Sequence, residues 1–296
     1  MLSGFHFTVV VALVVWFGAQ ESVPPWAGIE LERREAGTRF FELTDGENTH
    51  LFLLDSGVRR LTLDENRAAT LEAVAPTGPA EENTPPVARF YFPGTRHSFA
   101  APYEAMDLPS ILNGYTGLIS PQHMGQWGCL RVDFAESYLT LSDDAECVPR
   151  GNDPVRFTPM RREEREHGPY FISAYGERAD GEGGRYLIDT GASISVFRSN
   201  ALTLTGSVQS GSQLVETLSG NRSFERFEGE MCVFLEGHNI RLGAILVSDE
   251  YLDRYNEMQH IDGIIGMDVL ADLELTIQGE EIFGVFGNVD TLHPEC

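Results

Sequence analysis

Short apolar runs, separated every several residues by glycine, proline, asparagine or aspartate, occupy the chain from Thr38 onward. Runs of this kind predict β-strands, and many of them in succession indicate an all-β barrel or sandwich. Apolar residues at helical spacing are scarce, and only the stretch 64–75 predicts a short helix. Asp-Gly dipeptides at 45–46 and 180–181 are typical of hairpin turns between strands. The hydrophobic pattern therefore predicts an all-β protein.

Two of the apolar runs end in the same way, with an aspartate, a hydroxyl residue and a glycine. The first run, 51–54, leads to Asp55, and the second, 186–188, leads to Asp189. This order of residues delivers an aspartate from the end of a buried strand into a tight turn that the glycine permits. Because an aspartate is rarely buried without a partner, each carboxylate is expected to be held by local backbone N–H groups and to face a group that uses its charge.

The surroundings of the two aspartates repeat as well. An aromatic run and an Asp-Gly turn precede each aspartate, and a segment with two glycines follows it, at 113–119 in the first half and at 262–268 in the second. Self-similarity of this kind indicates that one structural unit occurs twice along the chain. The chain is therefore predicted to fold as two related lobes.

Asp-Ser-Gly and Asp-Thr-Gly, each followed by such a glycine segment, resemble the motifs of the two-lobed aspartic proteases of the pepsin type. The second copy, with 189–193 and 262–268, is similar to the single-lobed retroviral-type members, the retropepsins. The resemblance covers about residues 36–290. It implies two pseudo-symmetric acid-protease-type β-barrel lobes with the cleft between them.

The resemblance also implies roles for individual residues. Asp55 and Asp189 would form a catalytic dyad, because two carboxyl groups a few ångströms apart share one proton and titrate as a pair. The ionised member would act as general base on a water molecule, and the protonated member would donate to the substrate carbonyl oxygen. The residues expected to support the dyad are Ser56, Gly57, Thr190, Gly191 and Ser193.

Two predicted hairpins are candidates for a flap that covers a bound peptide. In the first half, the aromatic run 89–92 precedes a Pro-Gly turn, and an ordinary aromatic strand is the alternative for this run. In the second half, the runs 214–218 and 223–227 flank a Ser-Gly-Asn turn. An extended peptide would pair with a flap strand by β-augmentation. The candidate flap residues are Tyr91, Phe92, Ser219 and Gly220.

Composition predicts the domain boundaries. Residues 1–20 are mostly apolar and fit a signal peptide or an N-terminal anchor, although no Lys or Arg precedes the apolar run. Residues 21–146 are predicted to form the N-terminal lobe and 169–296 the C-terminal lobe, joined by a proline-rich, charged linker at 147–168. The protein is expected to be exported, either periplasmic or secreted, and anchored only if the first segment is retained.

The cysteines agree with export. Cys129 and Cys147 lie in the first half, and Cys232 and Cys296 lie in the second. Four cysteines allow three pairings, and only one of them keeps each bridge within a half: Cys129 with Cys147 and Cys232 with Cys296. Four reduced, buried thiols are the alternative.

Charge and histidine spacing limit the partners. A net charge of −24 over 296 residues argues against nucleic acid as a partner. The histidines lack the spacing of metal ligands, so no metal and no cofactor is expected. The expected partner is a peptide or protein substrate. The chain is expected to act as a monomer and to meet a membrane only through residues 1–20.

The leading hypothesis is an aspartic endopeptidase that hydrolyses peptide bonds with a water molecule activated by Asp55 and Asp189. Arg59 stands where the second copy has Ser193, and it either holds Asp55 permanently ionised or points to solvent. Two alternatives stay open. One is a retropepsin-like enzyme that uses only the Asp189 lobe, as a homodimer; the other is a catalytically inactive, protease-like binding module.

Overall fold

Strands predominate in the protein. The computed structural model describes residues 27–34, 37–71, 85–95, 98–109, 112, 114–143, 147–151, 153–161, 170–202, 207–218, 220–255 and 260–287. The segment 1–20, most of the charged part of the linker, Ser219 and Cys296 lie outside these residues. Every helix within the described ranges is too short to cross a membrane. The predicted all-β class is confirmed.

The strands and helices follow one another in chain order. In the first half they are β1 (Ala27–Glu30), β2 (Glu32–Arg33), β3 (Arg39–Thr44), β4 (Thr49–Leu54), β5 (Leu61–Asp64), α1 (Glu65–Ala68), β6 (Val87–Tyr91), β7 (Ser98–Met106), β8 (Gly117–Ile119), α2 (Pro121–Met124), β9 (Cys129–Asp133) and β10 (Tyr138–Ser142). In the second half they are β11 (Val155–Met160), β12 (Phe171–Glu177), β13 (Gly183–Ile188), β14 (Val196–Phe197), β15 (Val208–Thr217), β16 (Gly220–Leu235), β17 (His238–Val247), α3 (Asp249–Asp253), β18 (Gly263–Ile265), α4 (Met267–Leu270), β19 (Leu273–Gln278) and β20 (Glu281–Phe286). The helix predicted over 64–75 is α1, and residues 72–75 lie outside the described ranges.

A seven-stranded sheet forms the first lobe, in the order β2-β3-β4-β8-β5-β7-β6. A further pairing of β6 with β3 closes this sheet into a barrel. At its centre β4 and β8 run parallel, and β5 runs antiparallel to β8. Buried and exposed residues alternate along most of β7, which is the pattern that a strand with one buried face requires.

The second lobe repeats this arrangement. Its strands β13 and β18 run parallel, β14 runs antiparallel to β18, and β12 pairs with β16. The registers also correspond, since Leu54 of β4 pairs with Ile119 and Ile188 of β13 pairs with Ile265. The two lobes are therefore pseudo-symmetric copies of one barrel, as the internal repeat predicts.

Strands from both halves of the chain join in one sheet. The strands β1, β10 and β9 of the first half continue into β19, β20 and β11 of the second. Val132 of β9 lies opposite Leu275 of β19. The segment 147–168, predicted as a linker, contains β11, which pairs with β20. The connection between the lobes is thus itself part of the sheet that joins them.

Disulfide bonds are present in both halves. The predicted bond between Cys129 and Cys147 joins β9 to the start of the connection between the lobes. Cys232 in β16 is disulfide-bonded as well, and its predicted partner, Cys296, lies outside the described residues. The alternative of reduced thiols is therefore wrong for the three described cysteines.

The hydrophobic core encloses the strands that lead to the two aspartates. The main cluster extends through both lobes and the shared sheet. Two smaller clusters cover the opposite strand faces, one with Leu53 and Leu118, the other with Leu187 and Ile264. Burial of each such side chain stabilises the fold by about 1.5–3 kcal/mol, so the ends of β4 and β13 are held firmly. Members of the main cluster include Phe52, Leu63, Leu130, Ile240 and Leu275.

Candidate active site

Asp55 and Asp189 are the first residues after β4 and β13, the central strands of the two lobes. The backbone N–H of each donates to the last residue of the neighbouring parallel strand: Asp55 to Ile119 at 3.0 Å and Asp189 to Ile265 at 2.9 Å. The last residues of both strands, 52–54 and 186–188, form apolar runs because both of their faces are buried. The strands thus deliver the two aspartates to matching positions.

Ser56 and Thr190 join the two aspartate loops reciprocally. The N–H of Ser56 donates to the Thr190 hydroxyl at 3.0 Å, and the N–H of Thr190 donates to the Ser56 hydroxyl at 2.9 Å. Each hydroxyl in turn donates to a carbonyl of the other lobe, Ser56 to Ile188 at 2.6 Å and Thr190 to Leu54 at 3.0 Å. These four buried hydrogen bonds fix the loops relative to each other.

The glycines of the motifs bring each loop against the carboxyl group of the other lobe. A β-carbon on Gly57 would lie 2.6 Å from Oδ2 of Asp189, and one on Gly191 would lie 2.4 Å from Cγ of Asp55. Any larger residue would therefore displace the opposite carboxyl group. The glycine N–H groups also donate to the aspartate of their own loop, at 2.7 Å in the first lobe and 2.9 Å in the second.

The two carboxyl groups are hydrogen-bonded to each other. Burial raises the pKa of Asp55 well above its usual value, and the charge of Asp189 and the hydrogen bond between the two groups raise it further. Burial also raises the pKa of Asp189, whereas hydrogen bonds from Asp55 and from the N–H groups of Gly191 and Ala192 oppose that rise. Two buried carboxyl groups that are this close favour a state with one proton between them.

Behind each loop lies a polar side chain that was not singled out from the sequence. In the first lobe, Nε2 of Gln122 donates to the carbonyl of Ser56 at 3.0 Å and to that of Val58 at 2.8 Å. In the second lobe, the carboxylate of Asp268 accepts from the N–H of Ser195 at 3.0 Å and from its hydroxyl at 2.7 Å. Both residues follow matching strands, β8 and β18, at the same distance along the chain. The strand registers match Ile119 with Ile265, whereas the repeat of 113–119 and 262–268 matches Ile119 with Asp268, so that repeat did not identify the two residues.

Two residues next to the loops differ from expectation. Ser193, expected to support the dyad, is exposed, and it is Ser195 that is buried against Asp268. The guanidinium of Arg59 lies 5.4 Å from the centre of the Phe171 ring, a cation–π contact. An arginine clamp would lower the pKa of Asp55, whereas that pKa is raised. The raised pKa of Asp55 does not fit a carboxylate that Arg59 holds permanently ionised.

The first predicted flap lies away from the dyad, contrary to expectation. Tyr91 pairs with Thr44, and Thr44 pairs with Thr49 at the beginning of β4. Because Asp55 follows the other end of β4, the length of that strand, on the order of 20 Å, separates Tyr91 from the dyad. Phe92 is buried in the core. The alternative, an ordinary aromatic strand, describes this segment.

The second predicted flap is a long hairpin of β15 and β16, paired from Val208 opposite Glu228 to Thr217 opposite Gly220. Gly220 at its turn is exposed and has a φ of +97°, in the left-handed region that favours glycine. Ser219 lies outside the described residues. Within the described sheet, β15 is the last strand, so its outer edge has no partner strand there. An extended peptide can pair with an edge of this kind.

An aromatic group, which was not predicted, connects this hairpin to the surroundings of the dyad. The ring of Phe224 in β16 lies 5.1 Å from that of Tyr251 in α3, and the rings of Tyr251 and Tyr255 lie 6.1 Å apart. Burial raises the pKa of both phenols, and the negative charges of Asp189 and Asp55 add to the rise. The two phenols therefore lie within electrostatic reach of the carboxyl pair.

The chemistry open to the site follows from these groups. Two carboxyl groups that share one proton supply a general acid and a general base at the same place. Among the residues that the structure describes, no cluster of three or more His, Cys, Asp or Glu side chains is placed to hold a metal ion. Proton transfer is the chemistry that the described groups can perform.

Comparison with known proteins gives structural likenesses only. No protein-family model matches the sequence, and no characterised protein matches it in sequence. The crystal structure of basic 7S globulin from soybean is similar with a TM-score of 0.48 and 11% identity, over 90% of this chain and 96% of that chain. The aspartic proteinase from Irpex lacteus is similar with a TM-score of 0.48 and 12% identity, over 90% of this chain and 99% of that chain. Likenesses at this level support no conclusion about this chain.

Proposed function

We propose that the protein is an aspartic endopeptidase in which Asp55 and Asp189 together activate a water molecule for attack on a peptide bond. One observation carries the proposal: the two carboxyl groups meet across the lobe interface, each packed against the glycine of the opposite loop. A carboxyl pair that acts as acid and base needs one protonated and one ionised member at the same time. The mutual burial and the hydrogen bond between the two groups support that state.

In the proposed reaction, Asp189 is the general base and Asp55 is the general acid. The water oxygen bonds to the peptide carbonyl carbon, a water proton passes to Asp189, and Asp55 gives its proton to the carbonyl oxygen. The resulting diol collapses when Asp189 protonates the amide nitrogen and the C–N bond breaks. One diol hydroxyl returns its proton to Asp55. The base role goes to Asp189 because the N–H groups of Gly191 and Ala192 both donate to its Oδ1 atom and favour its charged form.

The proposed substrate is an extended segment of a peptide or protein. Two features support this class. The outer edge of β15 presents backbone groups with which an extended chain could pair. The partly buried rings of Tyr251 and Tyr255 lie within electrostatic reach of the dyad and could contact an apolar side chain. The chain is proposed to act as a monomer, because one chain brings both aspartates together. Its disulfides agree with the proposed export.

The test is cleavage of a peptide library from acid to neutral pH by the purified protein and its variants. Asp55→Asn and Asp189→Asn should each lower kcat/KM by about 10²- to 10⁴-fold. The control Asp107→Asn replaces an exposed aspartate and should leave kcat/KM unchanged. Full activity in Asp55→Asn would favour a homodimer that uses only the second lobe. Binding of a pepstatin-type inhibitor without cleavage at any pH would favour the inactive binding module.

A further inference from the structure

Gln122 is buried at the lobe interface although it carries a polar amide. It lies in α2, whose first turn is fixed by Ser120, because the Ser120 hydroxyl accepts from the N–H of His123, and by Pro121 at the start. Only 1% of Gln122 is exposed. Its amide nitrogen is hydrogen-bonded, whereas its Oε1 atom has no hydrogen-bond partner among the described residues. The amide of Gln122 therefore acts here as a hydrogen-bond donor.

The two N–H donors of the Gln122 amide are shared among three backbone carbonyls. The amide nitrogen lies 3.0 Å from the carbonyl oxygen of Ser56, 2.8 Å from that of Val58 and 3.1 Å from that of Tyr170. Ser56 and Val58 flank Gly57 in the first aspartate loop, whereas Tyr170 immediately precedes β12 in the second lobe. One side chain thus fixes the loop and ties it to the other half of the chain.

A single peptide group connects the hydrogen bond between Gln122 and Ser56 to the carboxyl group of Asp55. The carbonyl of Ser56 and the N–H of Gly57 belong to the same peptide group, and that N–H donates to Oδ1 of Asp55 at 2.7 Å. Donation from Gln122 to the carbonyl polarises the peptide group and strengthens the N–H as a donor, as in any chain of hydrogen bonds. The sequence of contacts therefore runs from the amide of Gln122 to the carboxyl group of Asp55.

We infer that Gln122 is a positioning residue for the proposed reaction: through the Ser56–Gly57 peptide group it orients Asp55 and supports the charge that this carboxyl carries after it has given its proton to the substrate. The inference rests on the proposed function of the dyad. A neutral donor suits this place, because a lysine or arginine would bring a positive charge behind the dyad and a glutamate would bring a negative one.

The hydrogen bonds that Gln122 makes to the first aspartate loop have no equivalent among the described residues of the second lobe. The matching residue there, Asp268, contacts Ser195, whose hydroxyl accepts from the N–H of Gly266 at 3.0 Å. This network supports the segment after the Asp-Thr-Gly turn, whereas Gln122 contacts the peptide group within the Asp-Ser-Gly turn itself. Gln122 therefore orients the first loop and, with it, the Asp55 carboxyl group.

The test compares Gln122→Met, which keeps the length of the side chain but removes the donor, with Gln126→Met, the same change at a nearby exposed glutamine. Gln122→Met should lower kcat by about 10- to 100-fold, with little change in KM, and Gln126→Met should change neither. The basic limb of the pH profile should move to higher pH, because the charged form of Asp55 loses support. An unchanged kcat and pH profile in an active, folded Gln122→Met protein would overturn the inference and leave the proposed function standing.

A second measurement keeps the inference testable apart from catalysis. Titration of the Asp55 carboxyl carbon by NMR, assigned with Asp55→Asn, should give a higher apparent pKa in Gln122→Met than in the unaltered protein. An identical titration would overturn the inference even if no peptide is cleaved. Gln122→Glu serves if the methionine variant does not fold: its protonated form offers one O–H donor, so activity should recover partly at acid pH and fall as that carboxyl ionises. An equal loss of activity at every pH would contradict hydrogen-bond donation as the role of Gln122.

Discussion

The two aspartate loops differ little where they meet and considerably where they do not. At the interface each hydroxyl, each glycine and each carboxyl group has a counterpart in the other lobe with similar contacts. Behind the loops the symmetry ends, because Gln122 donates to carbonyls in the first lobe and Asp268 accepts from Ser195 in the second. The symmetry is thus kept where two carboxyl groups must share one proton, and each lobe supports its own loop in a different way.

The largest expected effect comes from breaking that symmetry at the glycines. Gly57→Ala and Gly191→Ala would each push a methyl group into the opposite carboxyl group, at 2.6 Å and 2.4 Å. Both variants should lose peptide cleavage by about 10²-fold or more, since small displacements of reacting groups have effects of this size. The matched control is Gly183→Ala, where an added β-carbon meets nothing within 4 Å. Cleavage assays at equal folded concentration would decide, and an active Gly191→Ala would argue against the dyad.

A second comparison concerns the hydroxyl bridge, the four hydrogen bonds by which Ser56 and Thr190 join the two loops. Ser56→Ala and Thr190→Ala each remove two buried hydrogen bonds and leave backbone groups without partners. Each orphaned group should lower the free energy of unfolding by about 1–3 kcal/mol, and the two variants should lose similar amounts. Denaturant unfolding measures this. Thr190→Ser keeps both bonds and should lose far less; a loss equal to that of Thr190→Ala would show that the methyl group, not the bridge, matters.

The third prediction concerns the raised pKa of Asp55, which should make the stability of the protein depend on pH. Folding raises the pKa of Asp55, so the folded state binds more protons than the unfolded state above the unfolded pKa of about 3.9. Stability from this group is therefore fully present at acid pH and is lost as pH rises through the folded pKa. The Tm of Asp55→Asn relative to the unaltered protein should increase from acid to neutral pH. Thermal unfolding followed by circular dichroism would show this, and a constant difference would contradict it.

The smallest expected effect distinguishes the two hairpins. Leu218, beside the turn of β15 and β16, is partly exposed, and Leu218→Ser should raise KM several-fold if that hairpin covers the substrate. Tyr91→Ser should leave KM unchanged, because β6 is anchored at the far end of β4. Steady-state kinetics with one peptide substrate compare the two. An equal rise in KM for both variants would restore the first hairpin as a flap.

The sequence was most informative where the physics is local. Apolar runs that end in Asp-Ser-Gly and Asp-Thr-Gly fix a buried strand and a glycine-dependent turn, because side-chain period and turn chemistry depend on neighbouring residues alone. Their repetition along the chain predicted two related barrels, and the matched registers of Leu54 and Ile188 agree with that. The pairing of Cys129 with Cys147 was also accessible, since it joins neighbours within one half.

Contacts between distant residues were decided only by the tertiary structure. Tyr91 occupies the expected kind of strand, but its pairing with Thr44 sets which end of the barrel it occupies. Arg59 stacks on Phe171 and Gln122 reaches Tyr170, and each of these contacts crosses between lobes. The chain by itself determined the strands, the turns and the duplication. Which polar side chains lie behind the carboxyl pair depends on how the two barrels pack, and no local pattern of residues encodes that packing.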